Sequence, residues 1–176
     1  ENRYLQVTGK DVALFQKMLG LIFKGENRSQ DIKFDTDISN KRLWKYGISG
    51  DYPILLISIK EYNDYYVIDE ILKAFEYYLS KDIHLNIVIV TYTNIYADIF
   101  ENIIKEGMEK YLNAREGIFI LNDLKREERM LLEMRSNIII DADNGGTLGL
   151  QLSRLENKYI NEEKCKIINK IKDKQS

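Results

Sequence analysis

Residues 85–92 read LNIVIVTY, and the fold turns on them. Ile87, Val88, Ile89 and Val90 follow one another with no polar residue between. A strand with one wet face alternates apolar with polar; a strand covered on both faces does not. Three further runs share this habit: 53–59 (PILLISI), 117–121 (GIFIL) and 137–141 (NIIID). Strands of this kind belong to parallel sheets sandwiched between helices.

The stretches between these runs have helical spacing. After 53–59, Asp64 is placed to cap a helix whose apolar face is Ile68, Ile71, Leu72, Phe75 and Leu79. After 85–92, Asn94 is the expected cap of a helix buried through Ile99, Phe100, Ile103, Ile104 and Tyr111. After 117–121, Asp123 precedes LKREERMLLEM, with Leu124, Leu131 and Met134 facing inward. The alternation predicts three right-handed βαβ units. We therefore expect a single α/β domain, a four-stranded, mainly parallel sheet with helices on both faces, in the manner of a flavodoxin- or Rossmann-like three-layer sandwich. Upstream, residues 10–23 place Val12, Phe15, Leu19 and Ile22 on one helical stripe, followed by a polar connection. The expected organisation is a helical segment over 1–42 packing on the domain, an α/β core over 43–156, and a charged C-terminal helix or tail over 157–176 that frays.

The chain has 176 residues, 44% of them hydrophobic and 31% charged, which suits one packed core. A net charge of −2 gives no electrostatic footprint for nucleic acid. No apolar run approaches the ~18 residues that span a bilayer. The first residues have no signal-peptide pattern and no initiating Met, so a piece of a longer protein is expected. Cys165 is the only cysteine, which fits a reducing compartment and the cytoplasmic side of the membrane.

Two stretches invite chemistry. GISGD, residues 47–51, resembles a phosphate loop in composition, but such a loop follows a strand and opens a helix, whereas this one leads into a strand. We read it as a lead-in turn: Gly47 and Gly50 supply positive φ, Asp51 bonds local amides, and Trp44 and Tyr46 pack on the domain edge; the alternative is that this aromatic pair is a contact surface for a neighbouring domain. DADNGGT, residues 141–147, leaves the fourth strand at the sheet's carboxyl end, where open α/β sheets bind ligands. As a calcium loop it lacks a ligand at Gly145 and the bidentate Glu at Leu152. As a D-x-D-x-T/V nucleophile motif it has Gly145 in the last place. We read the stretch as a strand-to-helix turn, in which Gly145 and Gly146 open the turn and Thr147 starts a helix through Leu148, Leu152 and Leu155; the alternative is that Asp141 and Asp143 form a carboxylate pair able to meet a metal or a sugar hydroxyl. Tyr92 and Asn94 leave the second strand at the same end and, with residues 61–63, complete a polar crevice. His84, the only histidine, lies at the opposite end and lacks the second ligand a metal site needs. No metal site and no cofactor are expected.

The stretch LWKYGISGDYPILLISI, residues 43–59, resembles the cyclic β-1,2-glucan synthases and related cellobiose-phosphorylase-like proteins, a glycosyltransferase-family-thirty-six-like group. ILKAFEYYLSKDIHLNIVIVTY (71–92) and NIIIDADNGGTLGLQL (137–152) resemble the same family, and the likeness runs from about residue 15 to 155. The family's members are very large. They join a membrane-embedded glycosyltransferase region to a phosphorylase-like region of β-sandwich and helical barrel. The phosphorylase-type general acid belongs to the barrel, which has no counterpart here, so the resemblance carries over no catalytic residue. It implies a segment between catalytic parts, with neighbouring domains of the parent enzyme and β-glucan as partners. The function expected is a non-catalytic accessory domain with candidate contacts at Trp44, Tyr46, Asp51, Tyr92, Asn94, Asp141 and Asp143. The alternatives are a small metal-dependent phosphatase-like hydrolase using Asp141 and Asp143, or a small-molecule binding module.

Overall fold

The computed structural model describes residues 6–29, 41–61 and 66–175. Four parallel strands, β1 (Ile54–Ser58), β2 (Asn86–Thr91), β3 (Ile118–Asn122) and β4 (Ile138–Asp141), form one sheet in the order β3-β2-β1-β4. All four predicted runs are therefore strands, within a residue or two. Asparagine starts the register twice. Asn86 Oδ1 accepts from Gly117 N at 3.1 Å, and Asn137 Oδ1 accepts from Ile54 N at 2.9 Å, each tying one strand's start to its neighbour's.

The order dictates where the helices go. α2 (Tyr66–Ser80) and α3 (Thr93–Lys105) connect strands that step the same way, so right-handed crossovers put both on one face. The connection from β3 to β4 steps back across β2 and β1, and α4 (Arg126–Arg135) must then lie on the other face. The buried residues divide accordingly. Leu55, Ile57, Ile87, Ile89, Ile118 and Ile140 join one cluster with α2 and α3, completed by α1 (Gly9–Ser29) and α5 (Leu148–Gln175). Ile54, Leu56, Val88, Val90, Phe119 and Leu121 join a smaller one with Leu132 of α4, Leu43 and Ile48. Fully burying each such side chain contributes about 1.5–3 kcal/mol.

Several side chains differ from the expected faces. α3 starts at Thr93 with Tyr92, in extended conformation, at its N-cap, so Asn94 is inside the helix. Ile95, Ile99 and Ile103 form its buried stripe, which leaves Phe100 and Ile104 at the solvent boundary. In α4 the buried residue is Leu132; Leu131 is half-buried and Met134 exposed. The short charged helix sits one residue further round than its composition suggested. In α2, Tyr78 is buried and its hydroxyl bonds the Phe15 carbonyl, while Leu79 is only partly covered. Asp64 lies outside the described residues. The expected frayed end is instead the second half of α5, helical to Gln175.

Candidate functional site

The strand order reverses between β1 and β4, so the crevice that open α/β sheets use for ligands lies at the carboxyl ends of these two strands. Asp141 and Asp143 are both there, and both are engaged by backbone. Asp141 Oδ1 accepts from Asp143 N at 2.9 Å and from Asn144 N at 3.2 Å, folding its own turn. The Asp143 carboxylate reaches across to the exit of β1, accepting from Lys60 N at 2.8 Å and Glu61 N at 3.1 Å. One carboxylate shapes the β4 exit and the other pins the β1 exit to it. Among the described residues, no group of three or more His, Cys, Asp or Glu is placed to hold a metal ion.

Gln151, which the sequence reading missed, completes this arrangement. Its side-chain amide accepts from Asp141 N at 2.9 Å and donates to Asp141 O at 2.7 Å, as the next strand's backbone would. It also donates to Gly146 O at 3.1 Å. The side chain is nearly fully buried. The available signal was a polar residue beside Leu148 and Leu152 on the inward stripe of α5. Gly145 is required because a Cβ there would lie 2.4 Å from the Gln151 side chain and 2.6 Å from Asp141 O. Gly146 takes φ +81°, and Thr147 Oγ1 then caps α5 through Leu150 N at 3.2 Å.

Tyr92 and Asn94 leave β2, two strand spacings from β4, or roughly 10 Å. Tyr92 is half-buried with the Arg129 guanidinium 5.7 Å from its ring centroid, and Asn94 is exposed. Residues 62 and 63, expected to complete the crevice, lie outside the described residues.

The remaining candidates belong elsewhere. A helical turn over 41–44 ends in a Schellman motif: Ile48 N bonds Leu43 O at 3.3 Å and Gly47 N bonds Trp44 O at 2.9 Å, with Gly47 at φ +83°. Leu43 and Ile48, the apolar pair that accompanies this motif, are both buried. The first glycine of GISGD thus terminates a helix, and the amides of Gly47 and Ile48 are already bonded. This segment lies over the second face beside α4, where Tyr46 and Lys45 both hold Glu128. The Lys45 ammonium and the Tyr46 hydroxyl hold the Glu128 carboxyl below its usual range, and Glu128 raises Lys45 in return. Burial first, then the bond to Glu128, pushes the Tyr46 phenol up. Trp44 Nε1 donates to Ser49 O at 3.1 Å, while the side chain is 56% exposed. Asp51 does not bond the local amides as expected: Ser49 Oγ accepts from its N–H, and its carboxylate faces Arg115 at 3.7 Å.

His84 is bracketed. Its Nε2 lies 2.8 Å from Asp82 Oδ1 and its Nδ1 meets Glu116, which also accepts from the Tyr52 hydroxyl at 2.8 Å. The bond to Asp82 and the charge of Glu116 raise its pKa. A cleft of about 690 Å³ opens between α1 and α2, lined by Lys10, Asp11, Tyr66, Glu70 and Lys73. Lys73 and Asp11 pair there at 2.8 Å, which with the Thr8 amide holds the Asp11 carboxyl low, while burial pushes Glu70 up.

No known family model matches the chain. Among characterised proteins it is similar to the cyclic beta-(1,2)-glucan synthase NdvB of Rhizobium meliloti (strain 1021), at 28% identity over 171 residues. That alignment covers 89% of this chain and 6% of the synthase, so the chain spans only a small part of that relative's length. Among the described residues, no helix is long and apolar enough to cross a membrane.

Proposed function

We propose that this chain is a non-catalytic α/β accessory domain of a large carbohydrate-active enzyme resembling a cyclic β-1,2-glucan synthase or glycoside phosphorylase. Its role is to pack against neighbouring domains. The observation that supports this reading is the use made of the two carboxylates at the switch point. Asp141 and Asp143 accept four backbone N–H bonds between them. These main-chain donors hold both carboxylates in place and give each a structural task. Glucan contact, within the same reading, belongs to Trp44, whose indole is oriented by Ser49 and whose ring is open to solvent.

The test is turnover by the purified chain. Offered β-1,2-glucan with inorganic phosphate, or an aryl phosphate ester with Mg²⁺ or Mn²⁺, it should convert neither. Turnover abolished by Asp141→Asn or Asp143→Asn would overturn the reading. Trp44 is the only tryptophan, so its fluorescence reports directly on glucan contact. Titration with β-1,2-gluco-oligosaccharides should shift its emission, and an unchanged spectrum would remove glucan from the partners.

A further inference from the structure

α5 carries two apolar stripes, and only one is used. Leu148, Leu152 and Tyr159 are buried against the domain at helical spacing. Continued along the helix, that stripe would run through Glu163, Lys166 and Lys170, all charged. The apolar residues instead move round by one position, about 100° on a helix, to Ile160, Ile167 and Ile171. These are 39%, 58% and 51% exposed, and Ile168 beside them is 51% exposed. Between 160 and 175 every residue except Glu162 is exposed. This exposed part is about 24 Å long. The second stripe is therefore not the edge of the domain core. It is a separate seam.

The seam has coiled-coil spacing. Ile160, Lys164, Ile167 and Ile171 follow one another at intervals of four, three and four residues, the alternation of a and d positions. The flanking charges select the occupant. In this frame Glu163 and Lys170 are successive g positions, seven residues apart and opposite in sign. When two such helices run antiparallel, g faces g, and Glu163 of each copy meets Lys170 of the other. The pairing forms twice, related by the two-fold axis. Parallel helices would set Glu163 against Ile168 and Lys170 against Gln175, with no complementary charge.

We infer that the C-terminal half of α5 is a self-association surface on which a second copy of this chain docks antiparallel, Ile160 against Ile171 of the other copy. The inference does not depend on whether the chain is catalytic. Three isoleucines a side, with Lys164 in the fourth core position and Ile168 flanking, bury less than the roughly 1,200 Å² of a standard interface, so association is weak, in the micromolar range or above.

Sedimentation equilibrium of the reduced 176-residue chain, from about 1 to 500 μM, tests this directly. A reversible rise toward twice the monomer mass is expected. Ile167→Lys should abolish it. Glu163→Lys should weaken it by at least ~10-fold, and the double variant Glu163→Lys, Lys170→Glu should restore it. All these side chains are exposed, so circular dichroism should confirm that each variant is folded. A chain monomeric throughout overturns the inference. So does a dimer indifferent to Ile167→Lys, or a double variant no stronger than the single.

Discussion

Gln151→Ala removes three hydrogen bonds and leaves the N–H and C=O of Asp141 facing a hole. Stranded backbone groups cost more than the bond itself contributes, so the variant should lose about 2–3 kcal/mol. Urea unfolding at neutral pH measures this, and a loss below ~0.5 kcal/mol would mean that water replaces the amide without penalty. His84 gives a pH-dependent prediction. Its folded pKa is raised, first by the bond to Asp82 and then by Glu116. The stability it contributes is fully present below its unfolded pKa of about 6.5 and is lost as pH rises through the folded value. His84→Gln should therefore destabilise the chain near pH 5.5 and much less near pH 9. A difference that does not vary across this span would show that the bracket is electrostatically idle. Neither role was read from the sequence. Gln151 was at least detectable as a polar residue on an apolar stripe. The His84 cluster was not, because Tyr52, His84 and Glu116 come from three separate strand lead-ins that meet only once the sheet forms.

At the scale of elements, three helices end the same way. The turn over 41–44, α2 and α3 all close with the paired bonds of a Schellman motif, and Gly47, Asp82 and Gly107 take φ +83°, +58° and +73° at the reversing position. Gly107→Ala should cost about 1 kcal/mol, because a Cβ is strained at that φ. Thermal unfolding would reveal it as a Tm several degrees lower. β4 makes a second comparison possible within one strand. Ile140 is fully buried under the larger helical layer, whereas Ile139 points to the thinly covered second face and is 44% exposed. Ile140→Ala should cost ~2–4 kcal/mol and Ile139→Ala under ~1 kcal/mol. Equal costs would mean that the second face is covered in solution. The strands were legible because a short unbroken apolar run between turn residues has few other readings. Helix faces were less so: the α4 stretch carries Leu124, Leu131, Leu132 and Met134 among charges, and several inward faces fit that spacing equally well. The α3 cap was misplaced because Tyr92 occupies the N-cap without any side-chain bond, so nothing in its chemistry marked it.

Across the whole molecule, strand order decides the rest. Nothing in the four runs dictates that β4 joins beside β1 rather than β3. That choice puts α4 on the second face, draws the segment over 41–48 in beside it, and brings the two aspartates to the switch point. The seven candidate residues consequently separate, with Tyr92, Asn94, Asp141 and Asp143 at the carboxyl edge and Trp44, Tyr46 and Asp51 in the segment that covers the second face and leads into β1. A carboxylate held for structure and one held for chemistry respond oppositely to removal, since functional groups are commonly kept at some expense of stability. Thermal unfolding of the wild-type chain and of Asp143→Ala, each with and without millimolar Mg²⁺ or Mn²⁺, reads this difference most directly. The structural role predicts a clearly lower Tm for Asp143→Ala and no metal-dependent rise in the wild type. A variant that melts higher than the wild type, or a wild-type Tm raised by metal and unresponsive once Asp143 is gone, would contradict it.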